Sequence, residues 1–504
     1  MIRNGMILFV VTIVLAMLAV GALALVSLLT TEYEATRLRG DDLQASQLVQ
    51  SGIEAIAQTV VATETEQVPN EADGADTFYL PEQFAAETGS TDRLYDNPTW
   101  FRAVEVVPAS VGRSGRGAGR FTVFSPKVEQ DRLAGVRYGL VNESTRLHLG
   151  SVLQWDLESP GQGSRSLLKL PGMTPSIADS ILDWIDADKT ARPSGAELDY
   201  YERIDAPYRP RNAVPVSLEE LLLVRDMTRQ LLFGTDTNFT YGADMSFFER
   251  NQAELAVQVD EMMPPTDAND LFQQDDPTAL PWCFLLTTLS AEKLVDPTGK
   301  ARFSLNDGNL EFLEQQLNTA GLDKESVDFL IAWRKNKGNI DDPIDLLDAE
   351  ITVAETQTAL KSPFTLDNSA SEEKFLKLLD VATTSPTVVV SGRINVNEAP
   401  RIVLSAVPEL TTEHLSRILS LRSNRDTRKR HAVWLLSEKI VDKETMKKLS
   451  SRLTTGGDVY RAQVVGFFDR LGTTSRAEVV VDATVQPPRQ IYSKDLTMYG
   501  IVNR

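Results

Sequence analysis

One stretch limits this chain more than any other. Met6 to Leu29 is apolar throughout, interrupted only by Thr12 and Ser27. About 20 apolar residues in a helix cross a bilayer, so the first helix of this chain is expected in lipid. Arg3 and the terminal amine precede the run, and Glu32 and Glu34 follow it, with Arg37 and Arg39 softening the contrast. The positive-inside rule then places the N-terminus in the cytoplasm and the bulk of the chain on the other side. The run is too long for an ordinary secretory signal, and its one small-residue site, Val20-Gly21-Ala22, lies inside the apolar stretch. Beyond it, apolar or small residues recur at Leu38, Ala45, Leu48, Val49, Gly52, Ile53, Ile56 and Val60, mostly three or four apart. That spacing marks one face of a helix. Met6 to about Val61 is therefore expected as a single helix of about 80 Å, half in lipid and half packed on a soluble domain.

The rest of the chain is long enough for two to four domains. Its net charge of −20 argues against non-specific nucleic-acid binding, which works by neutralising phosphates. One cysteine, Cys283, and three histidines exclude an intramolecular disulfide, a zinc finger and a four-cysteine iron–sulfur site. A metal here must be held by oxygen, which favours calcium or magnesium. Residues 62–97 read as a polar, acidic loop. Strand-like runs follow at Phe101 to Val107, Arg120 to Phe124 and Gly135 to Val141, and again at Tyr460 to Phe468, Ala477 to Val485 and around Ile491. The Gly/Arg-rich stretch from Gly112 to Arg120 lacks the Lys-Ser/Thr ending of a phosphate loop and reads as a hairpin connection. Strands thus flank a long helical region, and a sheet interrupted by a large helical insertion is the economical topology.

The middle region repeats itself. Arg146-Leu147-His148-Leu149, Arg302-Phe303-Ser304-Leu305 and Arg393-Ile394-Asn395-Val396 are three copies of one short strand signature. Downstream of each stands a hairpin, Pro171-Gly172-Met173-Thr174, Ala320-Gly321-Leu322-Asp323 and Pro408-Glu409-Leu410-Thr411, and then an amphipathic helix beginning near Ala178, Val327 and Leu415. A further Leu-rich helix follows each, at Leu218 to Val224, Ile344 to Leu347 and Val433 to Leu436. These units resemble helix-hairpin-helix modules. The DNA-binding form has a second Gly in the hairpin; here Thr174, Asp323 and Thr411 replace it, and Glu409 replaces the first Gly of the third unit. The basic cluster Arg425, Arg428, Lys429, Arg430 and His431 is the one feature favouring nucleic acid, and it reads as a solvated loop.

Arg3-Asn4-Gly5 before Met6 resembles the processing site of prepilins, which implies a leader cut after Gly5 by a prepilin peptidase, with Met6 as the mature, methylated first residue. An uncleaved signal anchor remains the alternative. Most pilins carry Glu at the fifth mature position; here it is Val10, which fits a subunit with nothing above it to pair with and equally fits a protein that is no pilin. Leu182-Asp183-Trp184-Ile185-Asp186-Ala187-Asp188, Pro193-Ser194-Gly195-Ala196-Glu197, Tyr200-Tyr201, Pro207-Tyr208-Arg209-Pro210-Arg211-Asn212 and Ser217-Leu218-Glu219-Glu220-Leu221 resemble the general secretion pathway protein K family. Asn395-Val396-Asn397-Glu398-Ala399-Pro400 resembles another segment of it. The family consists of large minor pseudopilins of type II secretion.

The resemblance implies an α+β fold, with a long N-terminal transmembrane, pilin-like helix on a small antiparallel sheet and a large, mostly α-helical insertion of repeats. The expected division is a leader at 1–5, a transmembrane helix at 6–29, its soluble half at 30–63 and the first part of the sheet at 64–144. Helical repeats follow at 145–235, 301–380 and 391–455, with an insert at 236–300, and the C-terminal strands occupy 456–504. Segment 235–294 has no family counterpart. The implied function is mechanical: a single-pass inner-membrane protein with its bulk in the periplasm, joined to I-type and J-type minor pseudopilins at the pseudopilus tip, starting pseudopilus assembly and supporting protein export. The family also implies calcium in the helical domain. Asp183, Asp186, Asp188, Glu197 and Asp199 are the candidate ligands, with Asp186 and Asp188 foremost because they leave a helix into a Pro/Gly loop with free carbonyls. Asp341, Asp342, Asp345 and Asp348 read as a capped helix start. No catalytic signature surrounds His148, His414 or His431, Cys283 reads as a buried small hydrophobe, and no enzyme activity or nucleic-acid partner is expected. A membrane-anchored DNA-uptake protein of the competence kind and an uncleaved surface scaffold or adhesin are the competing readings.

Overall fold

The computed structural model describes residues 2–65, 96–106, 118–129, 131–236, 238–241, 280–353, 358–422, 427–469 and 473–499. Most of the acidic loop expected at 62–97, most of the Gly/Arg-rich loop, Arg425 and most of 235–294 lie outside the described residues.

Helix α1 spans Ile2–Thr65 without a break, and no proline interrupts that stretch. Its apolar half is bare: Leu8, Met17, Leu23 and Leu29 all stand more than half exposed, and the most apolar window has no buried residue. Its second half is buried at Ala45, Leu48, Val49, Ile53, Ile56 and Val60. Leu38 departs from the expected stripe and is exposed, because the helix meets the sheet only from Asp41 onward.

The sheet is antiparallel. β1 (Val104–Val106), β2 (Gly119–Glu129), β5 (Val459–Phe468), β6 (Ser475–Asp482) and β7 (Arg489–Asp495) lie in that order, with β3 (Arg132–Arg137) on β2 and β4 (Val141–Asn142) on β5. The strand expected over Phe101 to Val107 begins only at Val104, because Pro98–Phe101 forms a helical turn before it, and Val107 lies outside the described residues. Side chains alternate along β5 as a strand requires. Tyr460, Ala462 and Val464 join Ile53, Ile56 and Val60 of α1 in one core, while Val465 and Phe467 join the core of the helical insertion. The sheet is thus a layer between α1 and the insertion. Helix and sheet meet at backbone distance: a Cβ on Gly466 would lie 2.4 Å from the Ala45 carbonyl oxygen, and one on Gly52 would lie 2.5 Å from Val464.

The chain leaves the sheet after β4 and returns at β5, and everything between is the insertion. Each of its three units is closed by a two-residue parallel strand pair: Leu147–His148 with Leu286–Thr287, Phe303–Ser304 with Ala382–Thr383, and Ile394–Asn395 with Leu453–Thr454. The closing threonine plays one role throughout. Its hydroxyl accepts from the backbone N–H two residues on, at Leu289, Ser385 and Gly456, over 3.1, 3.0 and 3.2 Å. The signature is legible as Leu286-Thr287-Thr288, Ala382-Thr383-Thr384 and Leu453-Thr454-Thr455, and the sequence reading passed over it. The first unit therefore extends past 235 to Thr287. Within the segment read as an insert, Asp236 is buried and accepts from Asn238 and Tyr241, while Tyr241 packs on Phe124 and Phe284 and donates to Glu478 over 3.0 Å.

The amphipathic helices are α2 (Pro175–Ile185), α3 (Lys324–Asn336) and α4 (Thr412–Leu421). In all three hairpins the same position is left-handed: φ is 67° at Gly172, 73° at Gly321 and 75° at Glu409. Glycine adopts this conformation without steric cost and glutamate does not. The residue two positions on is the N-cap of the helix, and Thr174, Asp323 and Thr411 accept from the N–H groups of Ile177, Ser326 and His414. Each cap satisfies an N–H of the first helical turn that would otherwise lack a partner. The Leu-rich segments after these helices are 3-10 turns at Leu218–Leu223 and Pro343–Leu346 and a short α-helix at Trp434–Ser437.

The basic cluster is not a solvated loop. Lys429 is buried and sits over the Trp434 ring. Arg430 pairs with Glu373 at 2.7 Å and Asp380 at 3.1 Å, and His431 meets Asp380 at 2.6 Å. Arg428 lies 3.7 Å from Glu372. Arg428, Arg430 and His431 hold the segment to the helix Ser369–Val381.

Candidate metal centre

The motif residues at 182–224 build one compact knot around Trp184. Trp184 is buried at the end of α2, donates its indole N–H to Glu220 over 3.1 Å, and packs edge-on against Tyr201 and Tyr208 at 5.2 and 6.1 Å. Tyr208 donates to the Leu223 carbonyl, Arg211 pairs with Glu220 at 2.9 Å, and Asn212 donates to the Trp184 and Asp188 carbonyls. Asn212 has a φ of 53°, a conformation in which asparagine is among the better tolerated residues. The Pro-Ser-Gly loop folds back on Asp183 so closely that a Cβ on Gly195 would lie 1.9 Å from the Asp183 carboxylate.

The five candidate carboxylates separate within this knot. Asp186, Asp188 and Glu197 come together, with one oxygen of each within 4.8 Å of the others. Asp183 points elsewhere. It is fully buried and accepts from the Arg192 backbone N–H over 3.2 Å and from its guanidinium over 2.8 Å. Asp199 is exposed in the first turn of the short helix Leu198–Tyr201 and does not join the group. Arg192, which the sequence reading did not consider, also reaches Asp186 at 2.5 Å and Asp156 at 2.9 Å. Asp156 lies far back in the chain, so no local pattern could have revealed it.

Burial pushes the carboxyls of Asp183, Asp186 and Glu197 above the usual range, and for Glu197 the neighbouring Asp183, Asp186 and Asp188 push in the same direction. Burial alone would lower the Arg192 guanidinium, but its bonds to Asp186, Asp156 and Asp183 more than offset this and raise it. One Asp186 oxygen, Oδ1, and one Glu197 oxygen, Oε1, are buried without a hydrogen-bond donor. Unpaired buried carboxylate oxygens are costly. A hard divalent cation satisfies them, so the donor set suits calcium.

Residues 157–233 match the family model for type II secretion system (T2SS), protein K. This segment is similar to that family, and the match covers less than a sixth of the chain. Protein K is a structural component of a secretion system, and the matched stretch coincides with the Trp184 knot. No curated protein matches the chain. Among solved structures, the chain is similar to the GspK-GspI-GspJ complex from the type 2 secretion system of enterotoxigenic Escherichia coli. The likeness has 12% identity, 92% coverage of this chain, 99% of that one and a TM-score of 0.34, too low to carry an argument.

The remaining sequence candidates are placed as follows. Gly5 and Met6 lie within α1, and Val10 is exposed on its apolar half. Asp342 caps the turn at Pro343 and accepts from Ser450, and Asp345 pairs with Lys447 at 2.7 Å. The histidines have structural partners: His148 caps the helix Leu149–Glu158, His414 completes a capping box with Thr411, and His431 faces Asp380. Cys283 is partly buried against the core, and burial pushes its thiol up to about 12, which keeps it protonated at neutral pH.

Proposed function

We propose that this protein is a minor pseudopilin of type II secretion, placed at the tip of the pseudopilus, where it starts assembly with I-type and J-type minor pseudopilins and so supports export across the outer membrane. The observation that carries this reading is the match of residues 157–233 to the protein K family model. The architecture supports it physically. A bare apolar half-helix suits lipid or a filament core, and its second half is fixed to a sheet as a rigid stalk. A helical insertion on the opposite face of that sheet is bulk that hinders stacking of another subunit above. Val10 leaves no carboxylate in the apolar segment to be paired from above.

In this reading the chain is a single-pass inner-membrane protein with its bulk in the periplasm, and prepilin peptidase cuts between Gly5 and Met6. Asp186, Asp188 and Glu197 hold calcium, which neutralises the buried carboxylates and fixes the loop at Arg192 to Glu197. The test is the intact mass and N-terminal sequence of protein extracted from its native membrane, together with the proteins that leave the membrane with it. A chain starting at Met6 with a methylated amine, accompanied by two smaller pseudopilins, is the expected result. A chain still starting at Met1 in cells with active peptidase, and no such companions, refutes the reading.

A further inference from the structure

The repeated arginines carry an inference that the secretion role does not use. Arg146, Arg302 and Arg393 occupy the same position, immediately before the strand that opens each unit. In the first unit the charge is matched locally. Glu143, three residues upstream, lies 3.2 Å from Arg146, and both side chains are almost completely buried. Three residues upstream of Arg302 is Gly299, and of Arg393, Val390, so neither has that carboxylate.

Both arginines instead line one cleft between the second and third units, a cavity of about 410 Å³. Arg302 donates through Nε to the Val295 carbonyl over 3.0 Å, and its terminal nitrogens have no hydrogen-bond or ion-pair partner among the described residues. Arg393 lies 3.6 Å from Glu292, which is beyond hydrogen-bond reach. Its Nε is buried without an acceptor, and Glu292 Oε2, although ion-paired to it, is buried without a hydrogen-bond donor. Of the other acids nearby, Asp380 is committed to Arg430 and His431, and Asp342 to Ser450 and the Ile344 N–H, while Asp341 stands exposed on the cleft lining. Burial lowers Arg302, and the charge of Arg393 adds to this, against the opposite pull of Glu292 and Asp380. Arg302 and Arg393 line a partly enclosed space together with Arg430 and Lys447, against the carboxylates of Glu292, Asp341 and Asp342, and Thr384 and Ser385 line the same space. Guanidinium forks match the planar, multiply accepting oxygens of carboxylate and phosphate groups.

We propose that the cleft between the second and third units is a binding site for a small, multiply charged oxyanion, held by Arg302 and Arg393. Its two simplest sources are inorganic phosphate and a small polycarboxylate. The inference does not depend on the secretion role.

The test is calorimetric titration of the detergent-solubilised full chain with phosphate and, separately, with citrate, at matched ionic strength in chloride. Saturable binding of at least one ligand is expected, together with a raised unfolding temperature. The preferred ligand identifies the source. Arg302→Gln and Arg393→Gln each weaken binding at least tenfold. Arg393→Lys, which keeps the charge but not the fork, weakens it less and guards against a variant that fails to fold. Arg165→Gln, at an exposed arginine outside the cleft, leaves binding unchanged. Absence of saturable binding to the folded wild type, binding indifferent to the cleft variants, or equal weakening by Arg165→Gln overturns the proposal.

Discussion

Replacing Glu143 with Gln tests how the insertion is fastened to the sheet. Glu143 follows β4, where the chain leaves the sheet, and is fully buried. Oε1 accepts from Arg461 on β5 at 2.7 Å and lies 3.2 Å from Arg146, while Oε2 accepts from the closing threonine Thr287. Burial alone would raise this carboxyl, but the two arginines more than reverse it and hold it at about 2, against 4.5 in an unperturbed chain. A carboxyl held that far down stabilises the folded state by about 3 kcal/mol at neutral pH. Leaving two buried arginines without their carboxylate costs about 3–5 kcal/mol by mutational precedent, so the two routes agree. Because the folded value lies below the unfolded one, the contribution is complete above about pH 4.5 and is lost as pH falls toward 2. Urea unfolding of the detergent-solubilised wild type and Glu143→Gln should therefore differ by about 3 kcal/mol at pH 7, and the curves should converge in acid. A difference under about 1 kcal/mol at pH 7, in the range of an exposed pair, refutes this account. So does a large difference that stays constant down to pH 2.5.

Gly466→Ala should lower stability by about 2 kcal/mol or more, since the added methyl meets the α1 backbone and over-packing of this kind costs about 1–3 kcal/mol; the same unfolding assay measures it. At the hairpins the sign should reverse between units. Gly321→Ala should destabilise by about 1 kcal/mol, and Glu409→Gly should be neutral or stabilising by up to about 1 kcal/mol, read as shifts in the urea midpoint. If Asp186, Asp188 and Glu197 hold calcium, chelation should lower the melting temperature of the wild type. Asp186→Asn with Glu197→Gln should abolish that sensitivity, whereas Asp199→Asn should retain it.

The features legible in the sequence were those written in local periodicity. The apolar run to Leu29 and the stripe from Ala45 to Val60 specify a helix that is bare at one end and buried at the other, because each residue's face follows from its spacing. The strands flanking a helical middle and the three repeats were visible for the same reason. The likeness to protein K over residues 157–233 was legible because the knot around Trp184 draws most of its partners from a short stretch of chain. Contacts between distant segments had no such signal. Arg192 gathers Asp156, Asp183 and Asp186 from separate positions in the chain, and Glu197 comes beside Asp186 and Asp188 only through the fold. The left-handed backbone at Glu409 follows from superposing the third hairpin on the other two, and composition at that position does not announce it. The basic cluster at 428–431 read as solvated because its acids, Glu372, Glu373 and Asp380, lie on another helix. The chain by itself determined an anchor, a sheet and three helical units. Tertiary structure decided which charges are neutralised, because electrostatic pairing depends on distances of a few ångströms that sequence separation does not encode.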